Sequence, residues 1–432
     1  MNPTYDFGMV GLGVMGRNFL LNVADHGFSI IGLDTDPQKA RALESEASGK
    51  TVRGTTDTGE FVRSLKSPRR IMLLVPAGAP VDAVAESLLP FLDPGDLIID
   101  GGNSHFADTA RRLASLAEKG IHFLGMGVSG GSEGARFGPS IMPGGDRAAY
   151  ELVAPVLQAV AAKVEGEACV AFMGKGAAGH YVKMIHNGIE YALMQLIAEA
   201  YDLLKSVAGL SNQELHETFA RWNRGPLQSF LIEITAEIFL QADHLGSGQL
   251  VDQILDKAKQ KGTGKWTSQH ALDLGVAIPS IDAAVAMRGI SALKAERIAA
   301  SEWLKVETPA ATTDPAAFTA AVEEALLFSF VVSYAQGLRL LAAASEELDF
   351  DLDMEAIARI WRGGCIIRAA LLEDIRQAYK ADPQLPSLLV APVFRDRLLR
   401  TQAAARTVVK SAIDAGLPAL TLSTALGYFD AY

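Results

Sequence analysis

Apolar and polar positions follow two different rhythms along this chain. Up to about residue 177, short apolar runs ("FGMVGLG", "SIIGLD", "RRIMLLVP", "DLIIDGGN", "IHFLGMGVS") are separated by stretches with helical spacing, such as "GRNFLLNVADHG" and "PVDAVAESLLPFL". Short apolar runs alternating with amphipathic helices predict a parallel α/β sheet. From residue 178 the strand signals fade, and Ala- and Leu-rich helical periodicity continues to Tyr432, which predicts a large all-α domain. The expected domains are therefore 1–177 and 178–432, and no low-complexity linker separates them. The helical part also echoes itself. "AEAYDLLKSVAGLSNQELHETFARWNRG" resembles "VSYAQGLRLLAAASEELDFDLDMEAIARIWRGG", with Trp222 and Gly225 each 139 positions before Trp361 and Gly364. An internal duplication of a multi-helix unit is expected.

One helical stretch stands apart. In "HYVKMIHNGIEY", at about 100° per residue, His180, Lys183, His186, Asn187, Glu190 and Tyr191 share one face. Val182, Ile185, Ile189, Ala192, Leu193 and Leu196 occupy the other. Most charged helix faces are simply solvated. This face carries His, Asn and Tyr around a single Lys and Glu, a mixture that suits the wall of a polar pocket.

Composition narrows the class. A chain of 432 residues, with 49% hydrophobic and 21% charged positions, belongs with globular proteins of two or three domains. The net charge of −11 and pI near 5.3 argue against a nucleic-acid partner and against an acidic membrane surface. Cys169 and Cys365 are too few for a disulfide framework and fit a reducing compartment, with the cytoplasm as the default. "MNPTYDFGMVGLGVMG" enters a strand pattern at once, without the basic start and apolar core of a signal peptide. The segment nearest to a membrane span, "ALLFSFVVSYAQGLRLLAAA", is interrupted by Gln336 and Arg339 and is expected to be a core helix.

The chemistry begins at "GLGVMG". Gly11, Gly13 and Gly16 have G-x-G-x-x-G spacing between a strand and a helix, where glycines permit a tight turn, close approach of a pyrophosphate and close helix packing. Asp34, at the end of the next strand, is placed to accept hydrogen bonds from ribose hydroxyls and to repel a 2′-phosphate, which favours NAD over NADP. The alternative for Asp34 is a helix cap before Pro37, a role that Asp36 fills better. Two further strand-end loops, "IIDGGNS" and "MGVSGGSEGARFGPSIMPGG", supply Asn103, Ser129, Gly130 and Gly131, groups able to orient a substrate without adding charge.

These stretches, together with "GKGAAGHYVKMIHNGIEYALMQLIAEAY", "RWNRG", "SFLIEI", "DKAKQKGTGKWT" and "IWRGGCIIRA", resemble the decarboxylating 6-phosphogluconate dehydrogenases over essentially the whole chain. The resemblance implies a Rossmann domain, a duplicated helical domain, a homodimer, and oxidation of 6-phosphogluconate to ribulose 5-phosphate and CO2. It implies Lys183 as the base, which must be neutral and so needs a pKa below the ordinary value of about 10.4. Glu190 is implied as the acid that protonates the enediol. Asn103, Ser129, Gly130, Gly131, His186 and Asn187 would hold the sugar acid, and Tyr191, Lys261, Thr263 and Arg288 its phosphate. Gly11, Leu12, Gly13, Val14, Met15, Gly16, Asp34, Val75, Ala77 and Asn103 would line the cofactor. No metal is required, and the sequence offers no ligand cluster for one.

Three departures from the family pattern matter. Asp34, Thr35 and Asp36 stand where NADP-using members carry an asparagine, an arginine and a threonine, and Pro76 replaces a lysine common near the cofactor. NAD is therefore the expected cofactor, with NADP as the alternative. "TALGYFDAY" stops where relatives continue into a tail that enters the neighbouring subunit's site, so either the sequence is cut short or the phosphate site is completed differently. Two other functions share parts of this pattern: a β-hydroxyacid dehydrogenase acting on an unphosphorylated acid, and a catalytically weak sugar-phosphate sensor.

Overall fold

The computed structural model describes residues 4–47, 49–304 and 314–432. Two compact units emerge: residues Met1–Met184 with Ala344–Ile366, and residues Ile185–Ala343 with Ile367–Tyr432. This differs from a single break at residue 178. The change of unit falls inside a long helix, and a later stretch containing "IWRGG" returns to the first unit.

The first unit is built on seven strands: β1 (Phe7–Val10), β2 (Ile30–Leu33), β3 (Val52–Thr55), β4 (Arg70–Leu73), β5 (Leu97–Asp100), β6 (His122–Ser129) and β7 (Ser140–Gly145). Their order is β3-β2-β1-β4-β5-β6-β7, parallel except for β7, which pairs antiparallel with β6. Helices α1 (Val14–Asp25), α2 (Pro37–Glu46), α3 (Thr58–Arg63), α4 (Ala79–Leu88), α5 (Phe106–Ala117), α6 (Gly131–Phe137) and α7 (Arg147–Val160) connect the strands. A small hairpin of β8 (Lys163–Val164) and β9 (Glu167–Ala168) follows. This is the doubly wound order with an added antiparallel edge.

Strand residues alternate between two apolar layers, as the twofold side-chain period requires. Phe7, Met9, Leu97, Ile99, Leu124 and Met126 belong to one buried cluster. Val10, Ile31, Leu33, Ile71, Leu73, Ile98 and Phe123 belong to the other. Both faces are covered, which is why the central strands read as continuous apolar runs.

In the remainder, α8 (Ala178–Ser206), α9 (Asn212–Trp222), α10 (Phe230–Ile238), α11 (Thr263–Asp273), α12 (Pro279–Ala292) and α13 (Lys294–Trp303) precede α14 (Pro315–Glu347), α15 (Met354–Trp361), α16 (Leu371–Ala381), α17 (Pro392–Asp414) and α18 (Leu420–Ala431). The duplication is visible in detail. Helices α9 and α15 both end in a fully buried tryptophan. Gly275 before α12 and Gly416 before α18 share φ +64°. Their cap residues are nearly superimposable, Ile278 at φ −133°, ψ 49° and Ala419 at φ −129°, ψ 51°.

The second unit joins the two repeats by exchanged caps. Glu199 of α8 accepts hydrogen bonds from the Thr421 and Leu422 N–H groups of α18, both at 2.9 Å. Gln336 of α14 accepts from Ser280 N of α12 at 2.9 Å and donates to Ser280 Oγ at 3.0 Å. Each long helix thus satisfies the orphan N–H groups of the other repeat's last helix. Helix α14 is long and apolar enough to cross a membrane by length and composition, and 67% of its most apolar window is buried inside the protein. Gln336, one of the two residues that interrupt its apolar run, is one of the capping groups.

Candidate active site

The cofactor-type loop follows β1. Gly11 adopts φ +96°, and a side chain at Gly16 would run into the Gly11 carbonyl, so both positions demand glycine. A side chain at Gly13 would meet nothing within 4 Å, which leaves open space at the start of α1. Gly13 caps α1 without a side-chain hydrogen bond, and the helix start carries no acidic residue in its first turn. Backbone N–H groups at such an end attract phosphate. Leu12 is buried, Met15 half-buried and Val14 exposed.

Asp34 closes β2 and is 8% exposed. Its Oδ2 accepts from Leu12 N at 2.8 Å, its Oδ1 from Asp36 N at 3.0 Å, and Lys39 Nζ lies 3.4 Å from both oxygens. The carboxylate therefore braces the glycine loop. Asp36, not Asp34, caps α2, accepting from Gln38 N at 2.8 Å with Pro37 next in the helix. The loop Val75–Ala77 leaves β4 and Asn103 leaves β5, so the strand order β1-β4-β5 sets these loops side by side at the carboxyl edge of the sheet. Val75 is half-buried, and Ala77 and Asn103 are exposed.

Ser129 ends β6, and Gly130 and Gly131 follow at φ +107° and +63°. Lys183 of α8 is 6% exposed and its Nζ lies 3.4 Å from Ser129 Oγ. Glycines bring the helix this close: a side chain at Gly127 of β6 would press on Lys183 Cγ at 2.9 Å, and one at Gly179 would meet the Gly144 nitrogen at 2.6 Å. Neither glycine stood out in the sequence, although the "GMG" inside a strand was a usable signal. His180, expected on the same polar face, is buried with Nδ1 2.6 Å from Thr109 Oγ1, and burial holds its pKa below the ordinary imidazole value.

The second unit gathers the remaining candidates. His186 is fully buried, with Nδ1 3.1 Å from Asn187 Oδ1 and 3.8 Å from Glu190 Oε2. Asn187 Nδ2 donates to Thr263 Oγ1 at 3.2 Å. The Arg288 guanidinium lies 3.7 Å above the Tyr191 ring and donates to Lys259 O at 2.6 Å, fixing the loop that carries the exposed Lys261. Lys183 and Glu190 sit on the same face of α8, about two turns apart. Among the described residues, no group of three His, Cys, Asp or Glu side chains could hold a metal ion.

Sequence and structural comparisons cover both units. Residues 6–194 match the family of NAD binding domains of 6-phosphogluconate dehydrogenase, and residues 179–432 match the 6-phosphogluconate dehydrogenase C-terminal domain. The decarboxylating 6-phosphogluconate dehydrogenase of Synechococcus elongatus is 55% identical over 430 residues, 99% of this chain and 91% of the relative. The NADP(+)-dependent enzyme of Bacillus subtilis is 52% identical, covering 98% of this chain and 91% of that one. A solved structure of Plasmodium falciparum 6-phosphogluconate dehydrogenase, described in apo form and with NADP+ or 6-phosphogluconate, superimposes with a TM-score of 0.96 at 40% identity, covering 99% of this chain and 92% of that one. The matches thus run through both units and along nearly the full length of these enzymes, and the chain belongs to the 6-phosphogluconate dehydrogenase family.

Proposed function

We propose that Lys183 and Glu190 carry the two proton transfers of the reaction this family membership assigns to the chain, oxidative decarboxylation of 6-phosphogluconate to ribulose 5-phosphate and CO2. The observation that carries this is the burial of Lys183 with its Nζ directed at Ser129, the last residue of β6. A bound nicotinamide dinucleotide would supply the acceptor for the hydride from C3 of the sugar acid. Lys183 takes the C3 hydroxyl proton in that step, and the resulting ammonium then polarises the 3-keto group while CO2 leaves. Glu190 delivers a proton to C1 of the enediol. Asn103, Ser129, Gly130, Gly131, His186 and Asn187 orient the carboxylate and hydroxyls, and Tyr191, Lys261, Thr263 and Arg288 receive the phosphate, whose charge explains a basic cluster on an acidic protein.

Gly11, Leu12, Gly13, Val14, Met15, Gly16, Val75, Ala77 and Asn103 would hold the dinucleotide, and we propose NAD as the preferred one. A 2′-phosphate at the end of β2 would meet Asp34 and Asp36, with Lys39 already shared by Asp34. The relatives argue the other way, since the B. subtilis enzyme is named NADP(+)-dependent and the P. falciparum enzyme is described with NADP+. The preference rests on this chain's own charges.

A homodimer accounts for the apolar side chains that the second unit exposes. Leu245 is 99% exposed and Trp303 85%, and Ile254, Leu255, Leu272 and Leu304 are also exposed. Asp256 pairs with Lys294 and Arg297 of α13, which draws Ile254 and Leu255 towards that helix. Such groups mark association surfaces. The two buried free cysteines suit a cytoplasmic setting.

The decisive assay follows reduced-nicotinamide absorbance and CO2 release with 6-phosphogluconate, supplying NAD or NADP in parallel and gluconate as control. Turnover with NAD, CO2 release and little response to gluconate are expected. Faster turnover with NADP would overturn the cofactor assignment alone; tight sugar-phosphate binding without turnover would favour a sensor.

A further inference from the structure

The reaction chemistry leaves several deeply buried charged groups unused, and Arg112 is the one with the most partners close to the proposed site. Arg112 of α5 is 3% exposed, and its hydrogen bonds go to neither the glycine loop nor the lysine. Its five N–H groups are matched by acceptors on three elements. Nε donates to Asp82 Oδ1 at 2.8 Å, and Nη2 to Asp82 Oδ2 at 3.0 Å and to Gly78 O at 2.9 Å. Nη1 lies 3.4 Å from Asp100 Oδ2 and 3.3 Å from Ser104 Oγ. Asp100 in turn accepts from Ser104 Oγ at 2.6 Å and from Gly102 N at 3.0 Å. The guanidinium thus bridges two neighbouring loops: it holds Gly78, which closes the turn that carries Val75 and Ala77, and it holds Asp100 and Ser104, on either side of Asn103.

We propose that Arg112 is a positioning residue for hydride transfer, a clamp that fixes the loop after β4 relative to the loop after β5. The inference rests on the assignment above, in which Val75, Ala77 and Asn103 face cofactor and substrate. Gly78 has φ +90° and caps α4 without a side chain, so its carbonyl has freedom that Arg112 removes. Asn103 itself is exposed, and nothing on its own side chain anchors it in the way that the buried carboxylate anchors its neighbours. A planar fork with five donors can hold these acceptors together; a lysine, with three donors on one atom, satisfies the charge of Asp82 or Asp100 without spanning them. Reaction rates are sensitive to this kind of spacing, because a misplacement of about 1 Å far from the chemistry can lower a rate on the order of 10²-fold.

The α5 helix extends the same control to α8. Thr109, one turn before Arg112, holds His180, and His180 lies one turn before Lys183. One helix therefore references both loops and the start of the catalytic segment to the same frame.

The test compares full-length Arg112→Lys, Arg112→Ala and Asp82→Asn, each assayed well below its own melting temperature, with Asn103→Ala alongside. For Arg112→Lys, kcat with 6-phosphogluconate should fall on the order of 10²-fold, with a much smaller change in dinucleotide affinity measured by fluorescence. Asp82→Asn, which keeps the contacts to Gly78 and Asp100, should lose less in the same direction. Millimolar methylguanidinium should restore part of the kcat of Arg112→Ala. Wild-type kcat and KM in Arg112→Lys and Asp82→Asn, with only lower melting temperatures, would reduce Arg112 to a stability role and overturn the inference. Unchanged kinetics in Asn103→Ala would instead overturn the assignment of that loop, whatever the arginine variants do.

Discussion

At the scale of single residues, burial decides which polar groups have consequences. Lys183 is the sharpest case: Lys183→Met keeps the length and apolar stem of the side chain and removes its proton chemistry. General-base contributions run on the order of 10²–10⁴-fold, so kcat should fall by that much while dinucleotide binding, followed by fluorescence titration, stays intact; a kcat within a few-fold of wild type would end the base assignment. Asp34→Asn preserves an oxygen for the Leu12 N–H group and removes a charge. The ratio of kcat/KM for NADP to that for NAD should rise by about tenfold, equivalent to about 1.4 kcal/mol, and an unmoved ratio would mean that Asp34 does not set the preference. Asn22 matters for a different reason. Its buried amide donates to Ala135 O at 3.2 Å and Val160 O at 3.1 Å, carbonyls near the ends of α6 and α7. Asn22→Leu should cost about 1–3 kcal/mol for each carbonyl left unpaired, read from urea unfolding.

At the scale of elements, the exchanged caps give the second unit a titrating joint. Burial pushes the Glu199 carboxyl above the ordinary carboxylate value, against the pull of the Thr421 and Leu422 N–H groups. A folded-state pKa above the unfolded one means that the native state holds the proton more firmly. The stability Glu199 contributes is therefore complete below the ordinary carboxylate pKa of about 4.3, and is lost as pH rises through the folded value. Glu199→Gln should flatten that decline in urea midpoints measured from acid to neutral pH, because glutamine can imitate the Gln336–Ser280 arrangement at Thr421; equal slopes in both proteins would exclude Glu199 as the titrating group. These joints were invisible in the sequence, where nothing sets Glu199 and Gln336 apart from the other polar letters of their helices and their partners lie far along the chain. The central strands were legible from a local period, the glycine loop from the spacing of its motif, and the duplication from residues that recur 139 positions apart. Strands β3 and β7 were not: Arg53 and Gly54 interrupt one, and Pro143 and two glycines make the other read as loop. Both are sheet edges, where such residues are tolerated. Candidate site residues could be named from the sequence only where a motif carried them, whereas Arg112 and Asp100 are ordinary charges until the fold buries them.

At the scale of the whole molecule, the exposed apolar side chains around α13 predict self-association. Trp303→Glu should shift sedimentation towards a monomer without changing the melting temperature of the second unit, and an unaltered sedimentation profile would remove α13 from the interface. The exchange of caps also bears on how the chain is made. Glu199 leaves the ribosome long before Thr421 and Leu422, 222 and 223 positions later. Until then the nascent first repeat holds an acidic side chain in an apolar setting with only Gln195 to bond it and the two α18 N–H groups still unsynthesised, and α12 likewise waits for Gln336. A prematurely terminated polypeptide would keep this defect permanently, and so would remain open to the proteases that clear unfinished chains.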